Sequence, residues 1–244
     1  MATLQTYAAL SAHERVAVQA IVGAPRPVGA EGEIVGEGEF SADCHVLLEG
    51  QAFRHKTLAD GRRQILGFLV PGDVVDLQRL YLGVDYGVTA LTPCQVATAP
   101  RAKLEDLLLQ HSGLARAFWS LVLIEASIQR AWMLGMGRRT ARARVAHLLC
   151  EVFLRLREAG LARGNRCGFP ITQNHLADAL GLSGVHTNRV LQALRSEGLI
   201  ALRARELVIL DWPGLEEAAE FDPAYLYLHL PFAENPATPP IAIP

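Results

Sequence analysis

Residues 171 to 200 read ITQNHLADALGLSGVHTNRVLQALRSEGLI, two short helical periodicities separated by a glycine. Few folds other than two helices joined at a sharp angle satisfy that pattern. Thr172 is placed to cap the first helix, its hydroxyl oxygen accepting a free amide proton of the first turn, and Leu176, Ala177 and Leu180 supply the apolar face. Gly181 ends this helix, because a left-handed residue is needed there and glycine adopts that conformation without a Cβ penalty. Ser183 caps the second helix, along which Val190, Leu191, Leu194 and Leu199 face a core and leave His186, Asn188, Arg189 and Gln192 outside. A helical hairpin in an ordinary core shares this spacing, but polar hydrogen-bonding groups at the front of the second helix are what a DNA major groove requires.

The next residues, ALRARELVIL, form two short apolar runs around Arg203, Ala204, Arg205 and Glu206 and predict a β-hairpin beside the helices. Such a wing completes a winged helix-turn-helix and adds basic groups where a phosphate backbone passes. The whole chain, with 23 Lys+Arg and 25 Asp+Glu, carries a net charge of −2 that implies no polyanion partner. The sum conceals a division: residues 138 to 206 hold a formal +7 and the remainder −9, with Arg138, Arg139, Arg142 and Arg144 as the densest run. Basic charge confined to the part that contains a helix-turn-helix is the electrostatic footprint of DNA binding.

The chain of 244 residues, half of them hydrophobic, has material for one large or two small cores. No apolar stretch approaches the ~20 residues that span a bilayer, and the N-terminus lacks a secretory pattern, so the expected compartment is the cytoplasm, with no membrane partner. Cys44, Cys94, Cys150 and Cys167 are scattered and read as buried free thiols; no metal site is signalled. Nothing marks an enzyme: there is no phosphate-cradling glycine loop, no HExxH and no nucleophile elbow.

Residues 4 to 22 predict a short amphipathic helix with Leu4, Tyr7, Leu10, Val16 and Ile21 on its apolar side, stopped by Pro25 and Pro27. From Val28 to about Pro100, short Val/Leu/Ile runs are cut by glycines, the pattern of an antiparallel β-roll, with Pro71-Gly72-Asp73 as one turn. From Pro100 to about Gly160 the pattern is helical. Leu114, Ala117, Leu121, Ile124, Ile128 and Ala131 repeat at alternating spacings of three and four, the spacing of a dimer seam, while Phe118, Trp119, Val122, Leu123, Trp132 and Met133 widen the apolar surface toward the β-domain. Gly135, Met136 and Gly137 are the expected hinge. Beyond residue 211, Tyr225, Leu226, Tyr227 and Leu228 are too apolar for water and should pack back, while ENPATPPIAIP should be disordered.

The order β-roll, long helix, glycine hinge and winged helix-turn-helix resembles the Crp/Fnr family of bacterial transcription regulators over nearly the full length. The resemblance is carried by FLVPGDVVDL in the roll, GRRTARARVAHLL opening the DNA domain, and LADALGLSGVHTNRVLQALRSEGLI. It implies an α+β chain with a cyclic-nucleotide-binding-like jelly roll over 1–110, a dimerisation helix and hinge over 111–137, the winged helix-turn-helix over 138–212, and a C-terminal extension over 213–244. It also implies a homodimer on an inverted-repeat operator in double-stranded DNA, acting with RNA polymerase, and an effector domain that shifts the long helices.

Departures from the family pattern shape the remaining expectations. Members that bind cyclic AMP carry Gly-Glu-Leu after the Gly-Asp turn and a phosphate-neutralising Arg further on; here Val75-Asp76-Leu77 stands at the first place, and residues 81 to 88, YLGVDYGV, contain no arginine. Asp76, Leu77, Asp85 and Tyr86 are the expected effector pocket, too acidic for a cyclic phosphate. Residues 1 to 43 hold no cysteine, which excludes the N-terminal iron–sulfur cluster of oxygen-sensing members, and His45, His55 and His111 are weak candidates for haem. No cofactor is expected. In the recognition helix, Gly184 and Val185 replace the Arg-Glu of many members. The expected base readers are Arg189, whose fork matches guanine, His186, Asn188 and Val185, the last on a thymine methyl. Arg138, Arg139, Arg142, Thr172, Ser183, Arg203 and Arg205 are the expected phosphate contacts. Constitutive DNA binding and an unidentified small ligand both remain open, as does the alternative of a small-ligand or haem sensor that regulates a protein partner.

Overall fold

The computed structural model describes residues 10–228. Leu4, Tyr7 and the ENPATPPIAIP tail lie outside the described residues. Helix α1 (Ala12–Ile21) opens with a capping box between Ser11 and Glu14. The Glu14 Oε1 also accepts from the Leu114 amide at 3.1 Å, so one carboxylate ties the start of the chain to the start of the long helix. These amide donors hold the Glu14 carboxyl below its ordinary pKa.

Seven strands follow: β1 (Arg26–Val28), β2 (Glu33–Val35), β3 (Asp43–Glu49), β4 (Ala52–Thr57), β5 (Arg63–Leu69), β6 (Gly87–Ala90) and β7 (Cys94–Pro100). They form two antiparallel sheets, ordered β1-β7-β3 and β2-β6-β4-β5. Alternation along each strand sends Val35, Leu47, Leu69, Val88 and Val96 into the space between, which Val75, Val84 and Tyr86 complete. Gly72 takes a φ of 99° in the Pro71-Gly72-Asp73 turn, as the sequence predicts, and its amide donates to the Leu47 carbonyl.

The helical stretch from residue 101 is three helices: α2 (Arg101–Gln110), α3 (Ser112–Arg138) and α4 (Ala141–Glu158). α2 and α3 meet at 116°. No single helix among the described residues is long and apolar enough to cross a membrane. Gly135, Met136 and Gly137 do not interrupt α3, contrary to expectation. The Arg139 amide still donates to the Gly135 carbonyl at 3.1 Å, and the break falls at Arg139, whose ψ of 149° is extended, because the Thr140 hydroxyl caps α4 by accepting from the Ala143 amide. Gly135 is instead where the Arg139 and Arg144 side chains pass close to the helix.

The apolar stripe of α3 also differs from the expected seam. Leu114 and Ala117 are fully buried against the roll and α2, Ile124 is buried, and Ile128 packs on the core of the C-terminal half. Leu114, Ala117 and Ile124 of the expected seam are therefore turned into their own chain, while Leu121, Ile128 and Ala131 are half-buried. On the opposite side Trp119 is 65% and Leu123 64% exposed, with Val122, Met133, Leu134 and Met136 also in solvent. Trp119, Val122, Met133 and Met136 keep heptad positions on that outward face, whereas Ala126 and Gln129 between them are half-buried, Gln129 donating to the Leu66 carbonyl at 2.8 Å.

α4 is buried along nearly its whole length and is the spine of the C-terminal half. Around it lie α5 (Gln173–Leu180), α6 (Gly184–Ser196), α7 (Trp212–Ala219) and a sheet ordered β10-β11-β9-β8, from β8 (Ala162–Arg163), β9 (Arg166–Gly168), β10 (Ile200–Arg203) and β11 (Glu206–Ile209). Leu226 and Leu228 are buried, as expected of the extension, whereas Tyr227 is exposed. Phe53, Ile65, Phe68, Val70 and Leu91 of the roll belong to the same apolar core as α4, α5 and α6. The four cysteines are buried free thiols, and burial pushes Cys44, Cys150 and Cys167 up to about 12, so none is poised as a nucleophile.

Candidate nucleic-acid interface

The local chemistry of residues 171–200 follows its sequence closely. The Thr172 hydroxyl accepts from the His175 amide at 3.2 Å, and His175 Nδ1 accepts from the Thr172 amide, completing a capping box with histidine in place of the usual Glu. Gly181 is left-handed at φ 62°, and Ser183 caps α6 by accepting from the His186 amide. Both hydroxyls accept within the protein, so their protons are free to donate outward, which is compatible with a phosphate contact.

Along α6, Thr187, Val190, Leu191 and Leu194 are buried, while Val185, His186, Asn188, Arg189 and Gln192 face solvent. The four expected base readers share one exposed face. β10 and β11 form the predicted hairpin, with Arg203 paired to Glu206 and the turn residues Ala204 and Arg205 at φ 50° and 63°. That turn sends the exposed Arg203 and Arg205 side chains to the rim of a cleft of about 290 Å³ that Thr172, Gln173 and Asn188 also line. Sequence reasoning missed Arg195, which donates from Nη2 to the Leu202 carbonyl at 2.7 Å and so fastens the last turn of α6 to the wing.

The basic run opening the C-terminal half is divided. Arg138 is exposed, and Arg142 pairs with Glu197 at the end of α6. Arg139, expected at phosphate, is instead a structural group: its side chain is 11% exposed, it donates to the carbonyls of Ala131 and Glu220, and it lies 3.8 Å from the Glu220 carboxylate. Arg144 similarly donates to the Leu180 carbonyl at 2.8 Å. The Leu180 carbonyl is at the end of α5 and the Glu220 carbonyl just past the end of α7, so these two guanidinium groups satisfy helix-end acceptors from neighbouring elements.

The expected effector pocket is not one site. Asp76 is fully buried and fully committed: it accepts from the His45 amide at 2.7 Å, from His45 Nδ1 at 2.8 Å and from Arg79 Nε at 2.7 Å. Its charge is compensated within the roll, not offered to a ligand. Asp85 is at the surface, bonded to Lys56 at 3.0 Å and to Gln78, and these donors hold its carboxyl below the usual range. The Tyr86 hydroxyl donates to the Val75 carbonyl, and the Arg54 guanidinium lies 5.5 Å from the Tyr86 ring. Only Leu77 and Tyr86 border an open volume, an apolar groove of about 540 Å³ that also touches Leu80, Tyr81, Trp119 and Val122. The histidines weighed for haem are engaged elsewhere, His45 with Asp76, His55 with Thr89, and His111 against the ring of His13. Among the described residues no group of three or more His, Cys, Asp or Glu side chains is placed to hold a metal ion.

Two domain families match this chain: the cyclic nucleotide-binding domain over residues 25–111 and the Crp-like helix-turn-helix domain over residues 143–218. The transcriptional activator protein FnrL of Cereibacter sphaeroides is 32% identical over 180 residues, 72% of each chain. The nitrogen fixation regulation protein FixK of Bradyrhizobium diazoefficiens is 32% identical over 197 residues, 78% of this chain and 80% of that one. The solved structure of FixK2 from Bradyrhizobium japonicum superposes with a TM-score of 0.73 at 29% identity, covering 80% of this chain and 96% of that one.

Proposed function

The chain belongs to the Crp/Fnr family of transcriptional regulators, and from that premise we propose that it is a homodimer that reads an inverted-repeat operator with α6 and needs neither cyclic AMP nor an iron–sulfur cluster. The observation that carries this reading is the single exposed row of Val185, His186, Asn188 and Arg189 on a capped helix flanked by the wing arginines. Arg189 takes guanine O6 and N7, and Val185 a thymine methyl. Thr172, Ser183, Arg138, Arg203 and Arg205 hold the phosphates. The dimer forms through the outward stripe of α3 around Trp119, Leu123 and Met133, which places two recognition helices about one turn of DNA apart, ~34 Å. Asp76 locked to Arg79 and His45, and Asp85 at the surface beside Lys56, pair the cations Arg79 and Lys56 with the chain's own carboxylates. The apolar groove beside Leu77 and Tyr86 suits an uncharged effector if one binds. RNA polymerase is the proposed protein partner and the cytoplasm the proposed compartment.

The test is operator selection from random duplex DNA by the purified protein, followed by affinity measurements with and without cyclic AMP. Arg189→Ala should weaken operator binding by about 1 to 3 kcal/mol and relax preference at one base pair of each half-site. Cyclic AMP should change nothing. An Arg189→Ala protein with unaltered affinity and base preference would refute the assignment of α6.

A further inference from the structure

The roll reaches the helix-turn-helix by a route that bypasses α3 and its hinge. Beside the turn of the β4–β5 hairpin, Arg63 donates from Nε and Nη2 to Asp178 Oδ2 on α5, at 3.0 and 2.9 Å. The neighbouring Gln64 donates from Nε2 to the Ala179 carbonyl at 3.1 Å. Beneath them the Phe53 ring lies 5.2 Å from the His175 ring, with the Arg63 guanidinium 4.9 Å from the Phe53 centroid. Ile65 of the hairpin shares an apolar core with Leu176, Ala179 and Leu180 of α5. α6 rests on both α5 and α4, so a hairpin fixed to α5 braces one of the two supports of the recognition helix. The outer face of α6 remains exposed throughout.

We propose that the β4–β5 hairpin is a strut that positions the recognition helix for its operator, with Arg63 and Asp178 as the positioning residues. This rests on the reading of the chain as an operator-binding dimer. In such a dimer each strut holds one of two recognition helices, so the pair of struts sets their separation, while α6 alone sets which bases are read. Charge makes the proposal separable from simple electrostatics. Asp178 is an acidic group on a DNA-binding unit, and deleting it should tighten binding to a polyanion if it did nothing else. As the anchor of a strut, its deletion should weaken operator binding instead.

The experiment uses the full chain and the operator it selects, with spacers of native length and one base pair longer or shorter, alongside non-specific duplex and a thermal melt of each variant. Arg63→Ala and Asp178→Ala should each lower operator affinity about three- to tenfold, the size expected of a partly exposed pair that biases a conformational equilibrium. The double variant should be no worse than the weaker single, and all should discriminate less between spacer lengths while keeping base preference. Gln64→Ala, which removes the bonds to the Ala179 and Ile65 carbonyls and leaves the Arg63–Asp178 pair in place, should act in the same direction and serves if Asp178→Ala does not fold. A wild type that selects no operator would overturn the regulator reading and the strut with it. A wild type that binds, while Asp178→Ala binds as well or more tightly, would overturn the strut alone.

Discussion

His147 is a buried histidine in a polar cluster. The Tyr225 hydroxyl donates to Glu151 Oε2 at 2.7 Å, and its oxygen lies 3.0 Å from His147 Nε2. Trp132 Nε1 donates to the same carboxylate. Burial, and then the nearby Arg139 guanidinium, lowers the His147 pKa to about 4. A depressed pKa contributes stability that is present above the unfolded value of 6.5 and is lost as pH falls toward 4, up to about 3 kcal/mol. His55 and His175, lowered by burial and by Arg63, act in the same sense. Glu151, raised by burial, acts in the opposite sense, losing stability as pH rises through its folded value. Urea unfolding at a series of pH values should show stability falling between pH 6.5 and 4, with a shallower slope in His147→Gln. Equal slopes in the two proteins would mean that the histidine is not held neutral.

At the scale of an element, the sequence was most legible where structure is local. Caps at Thr172 and Ser183, the left-handed Gly181 and the Arg203–Glu206 hairpin depend on residues within a few positions of one another, and each forms as its pattern predicts. α3 shows where that legibility stops. Heptad spacing identifies an apolar stripe but not its partner, and α3 has two stripes: Leu114, Ala117 and Ile124 turn inward, and Trp119, Leu123 and Met133 turn outward. The glycines at 135 and 137 carry only a weak helix-breaking preference, and α3 runs through both. The consequence for assembly is specific. Leu123→Glu should give a folded monomer by sedimentation, because it places like charges across the proposed two-fold interface. Ile124→Glu should unfold the chain, because it puts a carboxylate into the chain's own packing. A dimeric Leu123→Glu protein would move the interface to another surface.

At the scale of the whole molecule, the contacts least visible in sequence are those between distant segments. Arg79, three residues on, supplies the cation that pairs with Asp76, but nothing local announces that the His45 amide and ring, 31 residues away, will close over it, and so an acidic pocket was expected where the structure has a sealed ion pair. Arg63 and Asp178 are 115 positions apart, and Arg155 reaches back to Asp73 across 82. The order of roll, long helix and reader was legible from the sequence, but the packing of roll on reader was not. That packing has a thermodynamic consequence. Phe53, Ile65 and Phe68 are roofed by the same side chains that surround α4, so the roll, beyond the interior between its own sheets, shares a second apolar core with the C-terminal half. Scanning calorimetry should record one heat-absorption peak, with van't Hoff and calorimetric enthalpies in agreement, where two independent bodies would give two peaks. Heating would then abolish DNA binding and the fold of the roll at a single temperature, and a protease would find no intermediate in which the helix-turn-helix survives alone.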